Sequence, residues 1–387
     1  MPVMQSRLPS LTGLRFIAAL MVFALHVTYQ NTYISGSAGK TLQDVFARSG
    51  FYGVSFFFVL SGFVLTWSAR ADDRATSTWR RRLVKIYPNH LATMALAAVL
   101  MLFAADVFTA KGIVANLFLV QSWTPDLEIS RSMNQVSWSL SCELFFYLSF
   151  PLLFRVINRV PVRRLWAVGG VLVALILAVP AVSEAAIGGV ALPYFADGSL
   201  SYEQMWFVYL FPPVRALEFV LGMVVARLVM AGAWPRIGLL PAFLIAAAGY
   251  AVNLQLPYLF GVAGVAAIWL MPLIAAAASA DVKGSASPFR GRVMTWLGDI
   301  SFAFYMVHGL VVAYFYRWVI AEYQPAPIVG AAAVLGVFAV SLALSHAMFV
   351  WLEQPLMRRF STPRAARQAT APAAAASRPL ASVKSGD

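Results

Sequence analysis

The sequence predicts an all-α, polytopic integral membrane protein: a bundle of about ten transmembrane helices with both termini cytoplasmic. Three observations carry this. Of 387 residues, 60% are hydrophobic and only 12% charged, whereas an ordinary soluble domain is about a quarter charged. Ten stretches are apolar over roughly the 20 residues that a helix needs to cross a hydrocarbon core about 30 Å thick. The formal charge of +13 is gathered on one side, as cytoplasmic loops require, so it speaks for membrane topology and not for nucleic acid.

The stretches fall near 11–30, 50–69, 83–105, 136–154, 165–182, 206–229, 237–253, 258–279, 294–320 and 328–350. With the N-terminus inside, 20 of the 29 basic residues lie in inner segments. Four (Lys40, Arg48, Lys111, Arg131) lie in outer loops and five (Arg15, Lys85, Arg215, Arg227, Arg317) within the spans. Residues 112–123 are too short to cross. Counting them as a span would put the cluster Arg155, Arg159, Arg163 and Arg164 outside, so they read as an interfacial or re-entrant helix on the outer side. The first stretch carries Arg15 and His26 and no small-residue cleavage site follows it, so it reads as retained and not as a signal peptide. Residues 1–360 form the membrane domain. Residues 361–387, rich in Ala, Pro, Ser and Arg, are expected to be a disordered cytoplasmic tail. Cys142 is a lone cysteine, which excludes a disulfide framework, and four scattered histidines offer no metal-ligand spacing.

Ionisable groups inside spans are costly and usually face a cavity or a partner. Arg15 and His26 are eleven residues apart, which at about 100° per residue puts them on one helix face, roughly 16 Å apart along the axis. Snorkelling by Arg15 and an interhelical hydrogen bond from His26 would explain the pair without function. Glu143 lies about two turns in from the outer end of the fourth stretch, at a depth comparable to His26. A carboxylate there orients an imidazole and stabilises its protonated form, as in general-base catalysis, or makes an inert interhelical bond. Arg80, Arg81, Arg82 and Lys85 gather at the inner mouth of the third stretch. They suit a polyphosphate or lipid headgroups, or simply anchor the helix. Pro212, Pro213, Arg215 and Glu218 interrupt the sixth stretch and suggest a broken helix lining a polar cavity. Ser301, Tyr305 and His308, at spacings four and three, share one face of the ninth helix, and His346 and Glu353 one face of the tenth.

Together the motifs resemble the integral-membrane acyltransferase family 3, bacterial O-acyltransferases of sugars, polysaccharides and antibiotics. The resemblance begins at LTGLRFIAALMVFALH, where Arg15 and His26 fit a basic-x10-His signature. It runs in order through GVSFFFVLSGF, RRRLVKIYP, VSWSLSCELFFYLSFP, ISFAFYMVH and a closing H-x6-E-x-P from His346 to Pro355. It implies an enzyme of the bacterial inner (plasma) membrane that moves an acyl group, most often acetyl, from cytoplasmic acyl-CoA to a hydroxyl of a carbohydrate-containing acceptor. Envelope glycan, a lipid-linked sugar and a glycosylated metabolite all fit that description. By position it implies His26 as catalytic base, Glu143 as its acidic partner, and Arg15, Arg81, Arg82 and Lys85 on the donor side. Tyr305 and His308 line the implied cavity, to which the polar-interior reading adds Ser55, Arg215, Glu218 and Ser301.

The implied partners are acyl-CoA as co-substrate, the glycosylated acceptor and membrane lipids, with no bound cofactor, metal or nucleic acid. Many members carry an acidic residue where this chain has Ser55 and Arg where it has Lys85. A lysine keeps the charge but loses the planar fork that grips phosphate in two places. Some members append a soluble esterase-like domain. Without one, the chain finishes the reaction itself or passes the acyl group to a separate periplasmic or extracellular protein. A transporter or flippase of a lipid-linked or anionic solute is the alternative from another class.

Overall fold

A long apolar run in lipid has no water to satisfy its backbone, so it must close its hydrogen bonds within the segment. The computed structural model describes residues 8–70, 73–189, 191–192, 200–323 and 326–361. The tail expected beyond Ser361 lies outside them. We label the ten principal helices α1 (Pro9–Leu25, continued by a π-helical turn His26–Gln30), α2 (Ser49–Ser68), α3 (Ala75–Phe103), α4 (Trp138–Arg159), α5 (Val162–Ala186), α6 (Pro212–Met230), α7 (Leu239–Gln255), α8 (Ala266–Lys283), α9 (Arg292–Phe315) and α10 (Pro327–Met348).

Counted with the turns that extend them, nine of these are long and apolar enough to cross a membrane. The remaining one, α7, has 17 residues, about 25 Å at 1.5 Å per residue. It is therefore a short apolar helix that leans on α8, where Gly249 receives the Trp269 ring. Helix α3 begins at Ala75 and not near 83, so Arg80, Arg81 and Arg82 lie on the helix itself, which runs on through Pro88.

Residues 104–137 do not cross. They fold back into the bundle as short helical pieces, Ala110–Leu117, Gln121–Trp123, Leu127–Ser130 and Gln135–Ser137. Irregular backbone at this depth is tolerated only where protein satisfies it, and a buried polar network does so. The Asn116 side chain donates to Ser132 Oγ (2.7 Å) and accepts from Ser137 Oγ (2.9 Å). Asn116 O takes the Nε2–H of buried His90 at 2.8 Å, and Asn134 Nδ2 donates to Met306 O at 2.8 Å. The consequence is that α4 starts below the outer surface, level with the middle of α9.

The basic ends of the helices meet at one end of the bundle. Ser10 at the start of α1 bonds Asp281 near the end of α8 (2.7 Å), Arg80 reaches Ser361 O, and Arg227 of α6 bonds the carbonyls of Ile157 and Val160. At the opposite end, Arg48 caps Leu256 and Tyr258 carbonyls and Arg317 pairs with Asp106. This is the two-sided arrangement that the distribution of Lys and Arg implies. Outward-facing Leu102, Val171, Leu240, Ile328 and Leu335 are exposed on the flanks, as lipid contact demands.

The centre is the quartet α1, α2, α6 and α9, and glycines bring it together. A side chain at Gly62 would overlap the Phe219 carbonyl, and one at Gly222 the Val59 carbonyl, so α2 and α6 touch backbone to backbone. Gly298 of α9 meets Thr12 of α1 in the same way. We expect Gly222→Ala to cost roughly 1–3 kcal/mol, as overpacking does, while Gly336→Ala, with no atom near its Cβ position, costs nothing. Thermal unfolding in detergent compares the two, and equal melting would contradict this packing.

Candidate active site

Two cavities enter the bundle from opposite ends. The inner cavity, of about 400 Å³, opens between the starts of α1 and α3 and the end of α2. Its polar lining is Arg15, Ser61, Ser68, Arg82, Lys85, Ser139, Glu143 and Tyr147, and its depth is walled by Val54, Phe57, Phe58 and Leu140. A neighbouring pocket of about 410 Å³ holds Arg70, Asp73, Arg81 and Arg82. The outer cavity, of about 600 Å³, is lined by His26, Tyr29, Phe51, Trp138, Tyr209 and Tyr258 together with Asn31, Asn134, Arg131, Asp106 and Arg317. Both volumes lie within the range of small-molecule sites.

The shared-face expectation for Arg15 and His26 holds, and their axial separation delivers them to different cavities. His26 begins the π turn at the end of α1, a helix form with one residue more per turn that is often found at functional sites. Its partner is His308 of α9. The rings stack with centroids 4.9 Å apart, and His308 Nε2 lies 2.9 Å from His26 Nδ1. The other ring nitrogen of His308, Nδ1, faces the Phe304 carbonyl at 2.9 Å. A carbonyl only accepts, so Nδ1 of His308 carries the proton. In the neutral pair His308 Nε2 is then the acceptor, His26 Nδ1 the donor, and His26 Nε2 keeps its lone pair.

Glu143 is not the partner of His26. It takes a hydrogen bond from Tyr147 at 2.7 Å and lines the inner cavity with Arg15, Arg82 and Lys85. The depth comparison from sequence assumed that α1 and α4 reach the same outer level. Because residues 104–137 fold inward and Asn134 is pinned to Met306, Glu143 lies roughly 10 Å nearer the basic end than His26.

The other expected residues fall into distinct settings. Arg81 pairs with Asp73 at 3.1 Å in the neighbouring pocket, and Arg82 lies over the Tyr147 ring at 5.7 Å. Lys85 is ion-paired with buried Glu353, which also takes the Asn89 amide. His346 and Glu353 do not share a face. A π turn, Phe349–Glu353, shifts the register between them, so His346 stays exposed beside Trp296 while Glu353 turns inward. Helix α6 is broken at Phe211 as the prolines suggest, but Arg215 and Glu218 do not line either cavity. They form a fully buried ion pair of 2.8 Å, with Arg215 also on Ser55 Oγ at 3.3 Å. Ser55 thus belongs to that cluster, where its hydroxyl accepts from one nitrogen of the buried guanidinium. Ser301 bonds the Gly298 carbonyl and faces helix, not cavity. Tyr305 lines both cavities, whereas His308, expected beside it on the cavity wall, lines neither because it is fully buried between His26 and the Phe304 ring.

Sequence reasoning missed the aromatic wall of Trp138, Tyr209 and Tyr258, and the Arg317–Asp106 pair at the outer rim, in which one guanidinium nitrogen meets both carboxylate oxygens (2.7 and 2.9 Å). The pair was detectable in principle, since Arg317 is a cation that the positive-inside count leaves over and Asp106 closes an outer loop.

The chain is thus a polytopic helical bundle with a histidine pair between a cationic and an aromatic cavity, and comparison with known proteins gives it a family. The profile of an acyltransferase domain, acyltransferase 3, matches residues 8–346. The chain is 39% identical to the acyltransferase MdmB of Streptomyces mycarofaciens, over 96% of this chain and 97% of that protein. It is 28% identical to the exopolysaccharide production protein ExoZ of Rhizobium meliloti, over 80% of this chain and 90% of that protein. No solved structure matches it. The chain belongs to the acyltransferase 3 family and is an acyl-transferring, multi-pass membrane enzyme.

The Lys85–Glu353 pair gives a direct stability test. Glu353→Gln leaves a half-buried ammonium without its counter-charge and should cost roughly 3 kcal/mol. Adding Lys85→Met should recover most of that loss in detergent melting. A double variant as unstable as the single would mean that Glu353 acts through Asn89 and not through Lys85.

Proposed function

We propose that the protein is an O-acyltransferase of the bacterial inner membrane that takes an acyl group, acetyl in the first instance, from cytoplasmic acyl-CoA and places it on a hydroxyl of a carbohydrate-containing acceptor. The observation that carries this reading is His26, facing the aromatic outer cavity and bonded from behind to buried His308, with the cationic cavity on the other side of the bundle. The donor enters at the basic end. Its phosphates meet Arg81, Arg82 and Arg70, and Arg15, which makes no hydrogen bond or ion pair among the described residues, is free to take an anionic group. Lys85 contributes charge to the same cavity through a pair already formed with Glu353.

The acceptor occupies the outer cavity. Flat aromatic faces beside amides and charged groups suit a sugar ring, which offers C–H faces to the one and hydroxyls to the other. Its hydroxyl attacks the thioester carbonyl. The O–C bond forms, the C–S bond breaks, and His26 Nε2 takes the hydroxyl proton. His308 holds His26 in the tautomer that leaves this nitrogen unprotonated, the role that sequence reasoning gave to Glu143. The proton passes from His26 to the departing thiolate, so that acyl-CoA and alcohol yield ester and CoA thiol. Glu143 acts on the donor side, among Arg15, Arg82 and Lys85. Exclusion of water by the bundle keeps the thioester from hydrolysis.

Acyl-CoA consumption by purified protein in nanodiscs, with candidate glycans as acceptors, tests the scheme. His26→Ala should lower kcat by roughly 10²–10⁴, the usual contribution of a general base. His308→Phe keeps a ring but no acceptor for His26, and should lower kcat with little change in KM for acyl-CoA. Glu143→Gln should instead raise that KM. Full acyl transfer by correctly folded His26→Ala protein would end the proposal.

A further inference from the structure

The inner and outer cavities have two lining residues in common, Val54 and Tyr305. Every other lining residue belongs to one side alone. The Tyr305 side chain is held across this junction by the start of α4, its hydroxyl 2.8 Å from Ser139 Oγ and 3.1 Å from the Val136 carbonyl. Its ring meets Phe57 edge-on at 6.0 Å and packs beside His308 at 5.9 Å. His26 lies only on the outer side, whereas Arg15, Arg82, Lys85 and Glu143 lie only on the inner. A thioester anchored by its charged end among those cations therefore reaches the His26 imidazole only by passing between Val54 and Tyr305.

We propose that Tyr305 is the movable partition of the acyl-transfer path and the residue that limits acyl-chain length, an inference that rests on the acyl-CoA reading above. In this structure the side chain, with its hydroxyl on Ser139 and Val136, stands between the two cavities, and in this position it is the closed partition. Rotation of that side chain gives up two hydrogen bonds, joins the cavities and admits the acyl carbonyl to His26. The hydrogen bonds go to backbone and side-chain atoms of one helix end, so release requires no helix to move. Two consequences follow from the same geometry. The closed partition keeps water of the outer cavity away from a bound thioester. The apolar end formed by Val54, Phe57, Phe58 and Leu140 leaves room for a short acyl chain, and a longer one must displace Tyr305 before it fits.

The test separates the partition from the chemistry. Ser61→Cys places a thiol on the inner-cavity wall, in a background where the buried native thiol is removed by Cys142→Ser. Membrane vesicles of both orientations are then treated with sulfonatoethyl methanethiosulfonate, a small anionic thiol reagent that does not cross lipid. With Tyr305 present, the thiol should react from the basic side alone; with Tyr305→Ala it should react from both. Reaction from the basic side reports that the variant is folded, and Tyr305→Leu, which keeps bulk but loses the anchoring hydroxyl, should react slowly from the outer side. In nanodiscs, Tyr305→Ala should raise CoA release without acceptor several-fold and extend the donor range from acetyl to longer acyl-CoA. Labelling from both sides with Tyr305 intact, or from one side with Tyr305→Ala, would overturn the partition. One-sided labelling that becomes two-sided, in a protein whose wild type turns over no acyl-CoA, would leave the partition standing and remove the donor reading instead.

Discussion

Backbone-to-backbone contact through glycine is the constraint on which the rest of this structure depends. Helices in lipid gain nothing hydrophobic from meeting, because lipid tails are as apolar as their side chains, and close packing must bring them together. Here α2 and α6 are joined reciprocally, Gly62 against Phe219 and Gly222 against Val59, and α1 joins α9 at Gly298. That spacing puts His26 within 2.9 Å of His308. A wider contact between α1 and α9 would leave two isolated imidazoles facing each other across a gap. The same approach buries the Arg215–Glu218 pair between α2 and α6, a costly arrangement that a looser bundle would flood with solvent.

On that frame, departures from the regular α-helix aim the side chains. Four π turns occur among the described residues, His26–Gln30, Trp206–Leu210, Tyr316–Ile320 and Phe349–Glu353. The first three bring His26, Tyr209 and Arg317 to the outer cavity, and the fourth turns Glu353 toward Lys85. The inward fold of residues 104–137 does complementary work. It lowers the start of α4 until Ser139 and Val136 can hold Tyr305, and it carries Asp106 to Arg317 at the rim.

The fold was legible in the sequence because hydrophobic length and charge asymmetry are properties of whole segments and survive errors at their ends. Arg15 and His26 could be placed on one face because regular α-helix runs all the way from one to the other. The same arithmetic misplaced His346 relative to Glu353, since the π turn between them adds a residue that periodicity cannot see. Glu143 was misplaced in depth and not in helix. Its level is set by a polar network around Asn116, His90 and Asn134, a tertiary feature with no local signature. Arg215 and Glu218 were recognised as buried charges, but they pair with each other, and a sequence does not distinguish a pair that meets itself from one that meets a ligand.

A π turn is an α-helix carrying one residue too many, and that has a meaning for descent as well as for shape. In a helix whose two ends are fixed by the membrane surfaces, gaining or losing a single residue is absorbed locally as a bulge instead of being passed to the loops. The side chains beyond the bulge are rotated by about a quarter of a turn while the span keeps its length. Tyr209, Arg317 and Glu353 all sit within such bulges. A single-residue insertion or deletion near Tyr209 or Arg317 would therefore redraw the wall of the outer cavity, while the glycine contacts that join α1 to α9 and α2 to α6 stay in place.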